Sequence, residues 1–205
     1  MKKKALIVDL DGTLYYQKPV QIFMAAELIV YYILHFWRLK ELKIIAHYRA
    51  KHNGTTSLDT KTFCIEQKTD IKTLNNLIQK WLIYKPLKWI KLFADRELIK
   101  YLNKKQKNIF VIVYSDYETH QKLNILNFKP DFEFFYDMVN ICFPKPNPQG
   151  LNYIASQLNL QAKDILVIGD RQDKDGLAAS DFGAEFLFLP QNPIKRHQII
   201  KKLNI

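Results

Sequence analysis

Cysteine is scarce in this sequence, whose 205 residues contain only Cys64 and Cys142. The two lie far apart, and no Cys-x-x-Cys pair occurs. Small secreted domains depend on several disulfides, and thiolate zinc sites need clustered cysteines. The composition therefore excludes both kinds of framework, and it predicts a protein of a reducing compartment, the cytoplasm.

Long apolar runs are also missing. The run behind Met1 and the three lysines that follow it ends at Asp9, which is too short for the hydrophobic region of an export signal. Residues 20–37 contain one charged residue, Glu27, but a spanning helix needs about 20 apolar residues. A span there would also separate the first strand from the rest of the core. We predict no transmembrane span and a helix buried within the protein, with a homodimer or peripheral membrane contact as the alternatives.

Acidic residues are outnumbered, with 20 Asp and Glu against 31 Lys and Arg and a net charge of +11. Only five of the basic residues are Arg, and a general preference for lysine would produce the same excess. Nucleic acid, anionic lipid and phosphorylated metabolites would all be attracted. No zinc-finger, helix-turn-helix or aromatic RNA-binding signature accompanies the charge. We therefore predict no dedicated nucleic-acid module.

Short apolar runs alternate with helical patterns along most of the chain. The runs read as buried strands and cover residues 5–8, 109–114, 165–168 and 186–189. Apolar residues at helical spacing occupy 95–105 (with Asp95 as a candidate N-cap), 117–127, 148–158 and 175–181. This alternation predicts an α/β fold with a doubly wound parallel sheet, in which ligands bind beyond the carboxyl ends of the strands.

Residues 15–94 interrupt this pattern, because they contain long helical stretches and no clear strand. We predict an inserted α-helical cap at 15–94 within a core made of residues 1–14 and 95–205. The insertion is strongly basic, since residues 16–95 carry +7 of the net charge. Residues 52–57 give its clearest turn signal.

Acidic residues follow two of the predicted strands. Asp9 and Asp11 come after the first strand, and Asp170, Asp173 and Asp175 come after the strand at 165–168. In a parallel sheet both groups stand at the same edge. Any one Asp there could cap a helix, but two groups would repel each other without a cation. Oxygen ligands with open positions favour Mg²⁺.

Four segments resemble, in order, the motifs of the haloacid dehalogenase-like (HAD) hydrolase superfamily. Asp9-Leu10-Asp11-Gly12-Thr13-Leu14 resembles the first motif, and Ser115 at the end of a strand resembles the second. Lys145, within Pro144-Lys145-Pro146-Asn147-Pro148, resembles the third motif, and residues 169–176 resemble the fourth. The resemblance covers residues 4–14 and about 95–190, and it implies a HAD/Rossmann-like core.

The resemblance implies a role for each matching residue. Asp9 would be the nucleophile that forms an aspartyl-phosphate, and Asp11 would be the general acid and then the general base. Ser115, the backbone N–H of Asp116 at a helix start, and Lys145 would bind the phosphate.

The same resemblance implies a metal site. Mg²⁺ would be held by the Asp9 side chain, the Asp11 backbone carbonyl and Asp170, and Asp175 would hold a metal-bound water. Asp173 would be solvated, and Arg171 would pair with a neighbouring carboxylate.

These assignments predict a Mg²⁺-dependent phosphatase that hydrolyses a small phosphate monoester. Asp11 separates it from the dehalogenase branch, which the resemblance says lacks an acid two residues after the nucleophile. A phosphomutase on the same core is one alternative. A non-catalytic binding or scaffolding protein that uses its hydrophobic cap is the other.

Overall fold

Five parallel strands form the central sheet. The computed structural model describes residues 3–52, 60–136, 141 and 143–203. Strands β1 to β5 are Ala5–Val8, Phe110–Ser115, Phe132–Phe135, Ile165–Gly169 and Glu185–Phe188. Their order in the sheet is β3-β2-β1-β4-β5, and every pairing is parallel. The predicted α/β fold is confirmed.

The strand order creates a crevice at the carboxyl edge of the sheet. The chain places β2 and β3 on one side of β1 and then returns to place β4 and β5 on the other. Ligands bind at such a reversal of strand order. Val8 pairs with Ile168, and the Asp9 N–H donates to the Ile168 carbonyl at 2.9 Å. The residues after β1 and β4 are therefore neighbours at this edge.

Helices cover both faces of the sheet. The described helices, α1 to α10, are Gln17–Leu34, Leu39–His52, Thr60–Glu66, Ile71–Ile78, Lys85–Leu92, Arg96–Lys105, His120–Leu126, Gln149–Gln157, Leu177–Phe182 and Pro193–Lys202. Every residue of β1 and β4 is buried, as expected for strands covered on both sides. Asp95 caps α6 as predicted, since its carboxylate accepts from the Leu98 N–H at 2.9 Å.

Three elements differ from the sequence prediction. The strand β3 was not predicted, because it is a four-residue edge strand interrupted by Glu133. The helix α10 was also not predicted, because its lysine-rich sequence is only weakly amphipathic. The predicted helix at 117–127 begins only at His120, after Thr119.

The chain divides into two compact units. One comprises Met1–Pro19 and Ile90–Ile205, and the other comprises Val20–Trp89. The predicted cap boundaries at 15 and 94 lie within the first unit, because Tyr15 and Ala94 form an antiparallel bridge with each other. Of the turn predicted at 52–57, residues 53–57 lie outside the described residues.

Aromatic packing holds the second unit together. Trp81 is buried, and its ring contacts the rings of Tyr31 and Tyr32 at 5.1 and 5.9 Å between centroids. The helix α4 begins at the N-cap Asp70 and buries Leu74 and Leu77.

Among the residues that the structure describes, no single helix meets the length and hydropathy expected of a membrane span. The pair Gln17–Leu34 and Phe36–Ala50, bent by 110°, meets them only when taken together.

The prediction that the helix over residues 20–37 is buried within the protein is wrong. The helix α1 buries Val20, Met24 and Tyr32, while Ile33 is 68% exposed and Trp37 is 67% exposed. Within its own unit the helix packs through Val20, Met24 and Tyr32, and most of its remaining apolar residues stay exposed.

Candidate active site

A buried lysine joins two buried carboxylates at the carboxyl edge of the sheet. The Lys145 Nζ donates to Asp9 Oδ1 and to Asp175 Oδ1, each at 2.6 Å. Burial raises the pKa of Asp9 to about 8, although Lys145 opposes this effect. Burial lowers the pKa of Lys145, but Asp9 and Asp175 outweigh it and raise that pKa well above its usual range. Lys145 therefore stays charged beside the predicted nucleophile.

The backbone and a second lysine fix the position of Lys145. Its N–H donates to Asp116 Oδ1 at 3.0 Å, and its Nζ also reaches the Tyr114 carbonyl at 3.3 Å. Lys174 Nζ contacts the other Asp116 oxygen at 3.0 Å. These contacts hold the loop that carries Lys145 at the end of β2. They keep its ammonium group within hydrogen-bond distance of Asp9.

Asp170 presents a buried oxygen that has no hydrogen-bond partner among the described residues. Its Oδ2 accepts from the Gln191 amide at 2.6 Å, whereas its Oδ1 is buried and unpaired. Burial raises the pKa of Asp170, and nearby Asp175 adds to this rise. Gly12, with a φ of 95°, permits this placement, because a Cβ there would lie 2.3 Å from Asp170 Oδ2.

Three of these carboxylates form a candidate metal site. Asp9, Asp170 and Asp175 each offer an oxygen, and these oxygens lie within 4.8 Å of one another. Lys145 compensates only part of their charge, and the unpaired Asp170 Oδ1 needs a partner. An all-oxygen ligand set suits a hard divalent cation such as Mg²⁺. The residues present therefore fit the predicted metal.

Asp11 stands apart from this group and has partners of its own. Its two oxygens accept from Lys122 Nζ at 2.6 and 2.7 Å, and Tyr15 also donates its hydroxyl to it. Burial and the Asp11 charge raise the pKa of Tyr15 well above its usual range, so this hydroxyl keeps its proton. The role of the Asp11 backbone carbonyl as a metal ligand stays a prediction.

Ser115 is the buried last residue of β2, the strand beside β1. Its Oγ accepts from the Tyr117 N–H at 3.2 Å, so the side chain organises the loop that follows. The predicted helical setting of Asp116 is wrong, because α7 begins only at His120. The extra loop residues include Asp116, whose side chain holds Lys145 and Lys174.

The remaining residues of the last motif lie as the sequence indicated. Arg171 pairs with Asp173 through its Nε at 3.2 Å and through a second nitrogen, and both side chains are largely exposed. Asp175 is buried instead, and its second oxygen accepts from the Arg171 N–H at 3.2 Å. Asp175, and not Asp173, lies with Asp9 and Asp170 in the three-carboxylate group, and its role at a metal stays a prediction.

Sequence reasoning missed Lys122, Gln191 and Arg196. Gln191 donates to both Asp170 Oδ2 and the Gly12 carbonyl, at 2.6 and 2.7 Å. Because Gln191 follows β5, it could have been predicted to lie at the same edge of the sheet as the acidic residues. Lys122 gave no such signal, because only the packing of α7 brings it to Asp11.

Arg196 fastens the loop after β1 to the C-terminal helix. Its fully buried guanidinium donates to the carbonyls of Gly12 and Thr13, at 2.7 and 3.0 Å. It also reaches the Leu189 and Pro190 carbonyls and Asp95 Oδ2. All five N–H donors of the side chain are thus engaged.

We expect Arg196→Ala to lower the free energy of unfolding by about 3–5 kcal/mol, because it leaves a buried Asp95 charge and several carbonyls without partners. Urea denaturation followed by circular dichroism measures this loss. The control Lys195→Ala removes an exposed charge from the same helix and should change the stability by less than about 0.5 kcal/mol. Equal stability of the two variants would contradict the assignment.

Comparisons with known proteins agree with this geometry. The model of the haloacid dehalogenase-like hydrolase family matches residues 3–183, whereas no curated protein matches significantly. The HAD hydrolase YfnB from Bacillus subtilis, solved with bound magnesium, covers 100% of both chains at 15% identity and a TM-score of 0.62.

Two further solved structures carry different activities in their names. A 2-haloacid dehalogenase from Pseudomonas syringae pv. tomato is 15% identical, with a TM-score of 0.64 over 92% of this chain and 86% of its own. A predicted phosphoglycolate phosphatase from Haemophilus somnus is also 15% identical, with a TM-score of 0.58 over 92% and 85%. These likenesses establish the fold. The family match over residues 3–183, most of the chain, shows that this protein belongs to the haloacid dehalogenase-like hydrolases.

Proposed function

We propose that this hydrolase is a Mg²⁺-dependent phosphatase that cleaves a small phosphate monoester through an aspartyl-phosphate on Asp9. The observation that carries the proposal is the pair of separate acids after β1. Asp9 lies in the carboxylate group with Asp170 and Asp175, whereas Asp11 has its own partners outside that group. We assign the attack to Asp9 and the proton transfers to Asp11.

The proposed metal would be held by the carboxylates of Asp9, Asp170 and Asp175. Asp170 would contribute its Oδ1, the oxygen without a partner among the described residues. When bound, Mg²⁺ supplies positive charge against a phosphoryl oxygen and so allows two anions to approach each other. The magnesium bound by YfnB supports the choice of ion by likeness of fold.

Asp9 carries out the first step by nucleophilic attack. One carboxylate oxygen bonds to phosphorus, and the bond from phosphorus to the ester oxygen breaks. Lys145, held at 2.6 Å from Asp9, offsets the charge that builds up as the phosphate arrives. Thr13 donates its hydroxyl to Asp9 Oδ2 at 3.1 Å and so orients the carboxylate.

Asp11 moves the protons in both steps. Its proton passes to the departing alkoxide, and the resulting carboxylate then takes a proton from the water that attacks phosphorus and frees Asp9. Lys122 Nζ, at 2.6 and 2.7 Å from the two Asp11 oxygens, holds the Asp11 carboxyl group in position.

The phosphate would be bound by the loop between β2 and α7. We assign to Ser115 the donation of its hydroxyl to a phosphoryl oxygen, which its present contact allows because that contact uses the oxygen only as an acceptor. We assign the N–H of Asp116 and the ammonium of Lys145 to the binding of the same anion.

The proposed substrate is a small phosphorylated molecule, and the proposed compartment is the cytoplasm. A reducing compartment suits the buried free thiol of Cys64.

A substrate panel tests the reaction class. Phosphate monoesters of sugars, carboxylic acids and nucleosides, together with p-nitrophenyl phosphate, are assayed for phosphate release with Mg²⁺ or with EDTA. The same protein is assayed for halide release from 2-chloropropionate. Phosphate release that EDTA abolishes supports the proposal, whereas halide release without phosphate release, or failure on every ester by folded and metal-loaded protein, contradicts it.

We predict that Gln191→Leu weakens Mg²⁺ binding by about 10- to 100-fold, because residues that orient metal ligands commonly contribute that much to affinity. The variant removes the amide that holds Asp170 Oδ2 and the Gly12 turn. Calorimetric titration with MgCl₂ measures the affinity without any substrate.

The matched control is Gln106→Leu. Gln106 also donates its amide to a carbonyl, that of Lys129 at 2.9 Å, but it follows α6 before the amino end of β2. Its loss should leave the Mg²⁺ affinity unchanged. Equal affinities for the two variants would remove Gln191 from the metal site.

A further inference from the structure

The helix α1 has its polar and apolar sides reversed relative to an ordinary surface helix. Its only acidic residue, Glu27, faces the interior of its unit and accepts from Lys88 Nζ at 2.8 Å and Trp89 Nε1 at 3.1 Å, and it also pairs with Lys85. Partial burial raises the pKa of Glu27, but these contacts outweigh it and lower that pKa to about 2. The carboxylate charge of Glu27 therefore interacts with residues of its own unit and not with a partner outside it.

The opposite side of α1 is exposed and apolar. On that side residues 22, 26, 29 and 33 recur at spacings of three and four, and all are exposed. The exposed apolar residues 30 and 34 extend this surface around the C-terminal half of the helix. We define the apolar face as Ile22, Ile29, Val30, Ile33, Leu34 and Trp37, each of which is more than half exposed. Contiguous apolar surface of this kind marks an interaction site.

Basic residues begin where the apolar face ends. The helix α2 exposes Lys40, Lys43 and Arg49, while its Glu41 is neutralised by Arg38 at 2.7 Å. The aromatic side chains of Phe36 and Trp37 lie between the two helices and are exposed. Apolar residues, an exposed tryptophan and adjacent cations are the features with which helices bind anionic bilayers.

We propose that the apolar face docks on the surface of an anionic lipid bilayer. The other side of α1 is packed, with Val20, Met24 and Tyr32 buried, so the helix lies along the surface at the boundary of headgroups and acyl chains. Lys40 and Lys43, three residues apart on one side of α2, contact the anionic headgroups. A second copy of the chain fits less well, because such a dimer would bring two basic segments together. This inference rests on the second unit alone and is independent of the proposed phosphatase.

Vesicle sedimentation of the full chain tests the proposal. Binding is compared between vesicles of phosphatidylcholine mixed with phosphatidylglycerol and vesicles of phosphatidylcholine alone. We expect at least about tenfold tighter binding to the anionic vesicles, a preference that declines as NaCl is added. No binding to anionic vesicles at low salt would overturn the proposal.

Matched variants locate the contact. Ile33→Glu should weaken binding by about tenfold or more, whereas Ile194→Glu should not change it. The two residues are 68% and 72% exposed, but Ile194 lies on α10 of the other unit. Lys40→Gln combined with Lys43→Gln should remove most of the preference for anionic lipid. Because all four side chains are exposed, the variants should retain the wild-type circular dichroism spectrum and melting temperature.

Two further measurements distinguish lipid from a second copy. Brominated lipid should quench the fluorescence of the wild type more than that of Trp37→Phe. Equal quenching of the two proteins would overturn the proposed placement. Sedimentation equilibrium without lipid should give a monomer for both the wild type and Ile33→Glu. A wild-type dimer that Ile33→Glu dissociates would instead assign the apolar face to self-association.

Discussion

Asp9→Asn is expected to lower phosphate release by roughly 10⁴-fold or more, because an amide is a poor nucleophile and a neutral metal ligand. The fold should persist, since the change is isosteric. The altered group lies where Lys145 and Thr13 both contact the carboxylate. Steady-state assays with p-nitrophenyl phosphate and Mg²⁺ measure the loss.

The control for this substitution is Asp173→Asn, which makes the same chemical change at an exposed residue of the last motif. Its activity should stay within about twofold of the wild type, because the Asp173 contact is with an exposed arginine. If purified Asp9→Asn retained more than a few per cent of the wild-type turnover, Asp9 would not be the nucleophile.

Asp11→Asn is expected to slow the hydrolysis of alkyl phosphates by about 10²- to 10⁴-fold, the usual contribution of general acid and base catalysis. The nucleophile and the three-carboxylate group remain in this variant. In the first step, p-nitrophenyl phosphate should lose much less rate than an alkyl ester, because p-nitrophenolate departs without a proton.

The two esters act as internal controls for each other. Their rates are compared in single turnovers, so that the transfer to the enzyme is observed separately from the attack of water. Equal losses for both esters in this first step would show that Asp11 is not the general acid.

The parts of the fold that follow from local sequence were predictable. The strands β1 and β4 are short apolar runs that end in aspartates, and parallel pairing places those aspartates at one edge. The proximity of Asp9, Asp170 and Asp175 could therefore be predicted from the sequence. The edge strand β3 could not, because partial exposure permits Glu133 in its middle.

The contacts that hold the site together were not predictable from local patterns. Arg196 and Gln191 reach the Gly12 turn from more than 170 positions away in sequence, and such pairings depend on tertiary packing. Nor does composition tell which side of an apolar helix is packed. The helix α1 turns Glu27 inward and Ile33 outward, which periodicity alone could not decide.

The most direct test of the proposed mechanism is to trap the phosphoryl group on Asp9. Asp11→Asn is mixed rapidly with p-nitrophenyl phosphate and Mg²⁺, quenched in acid, digested and analysed by mass spectrometry. Because transfer to Asp9 needs no general acid with this ester while attack by water needs the missing base, the intermediate should accumulate. The account predicts a burst of one p-nitrophenolate per enzyme and a phosphorylated peptide that contains Asp9. Turnover without a burst, or a phosphoryl group on any other residue, would contradict it.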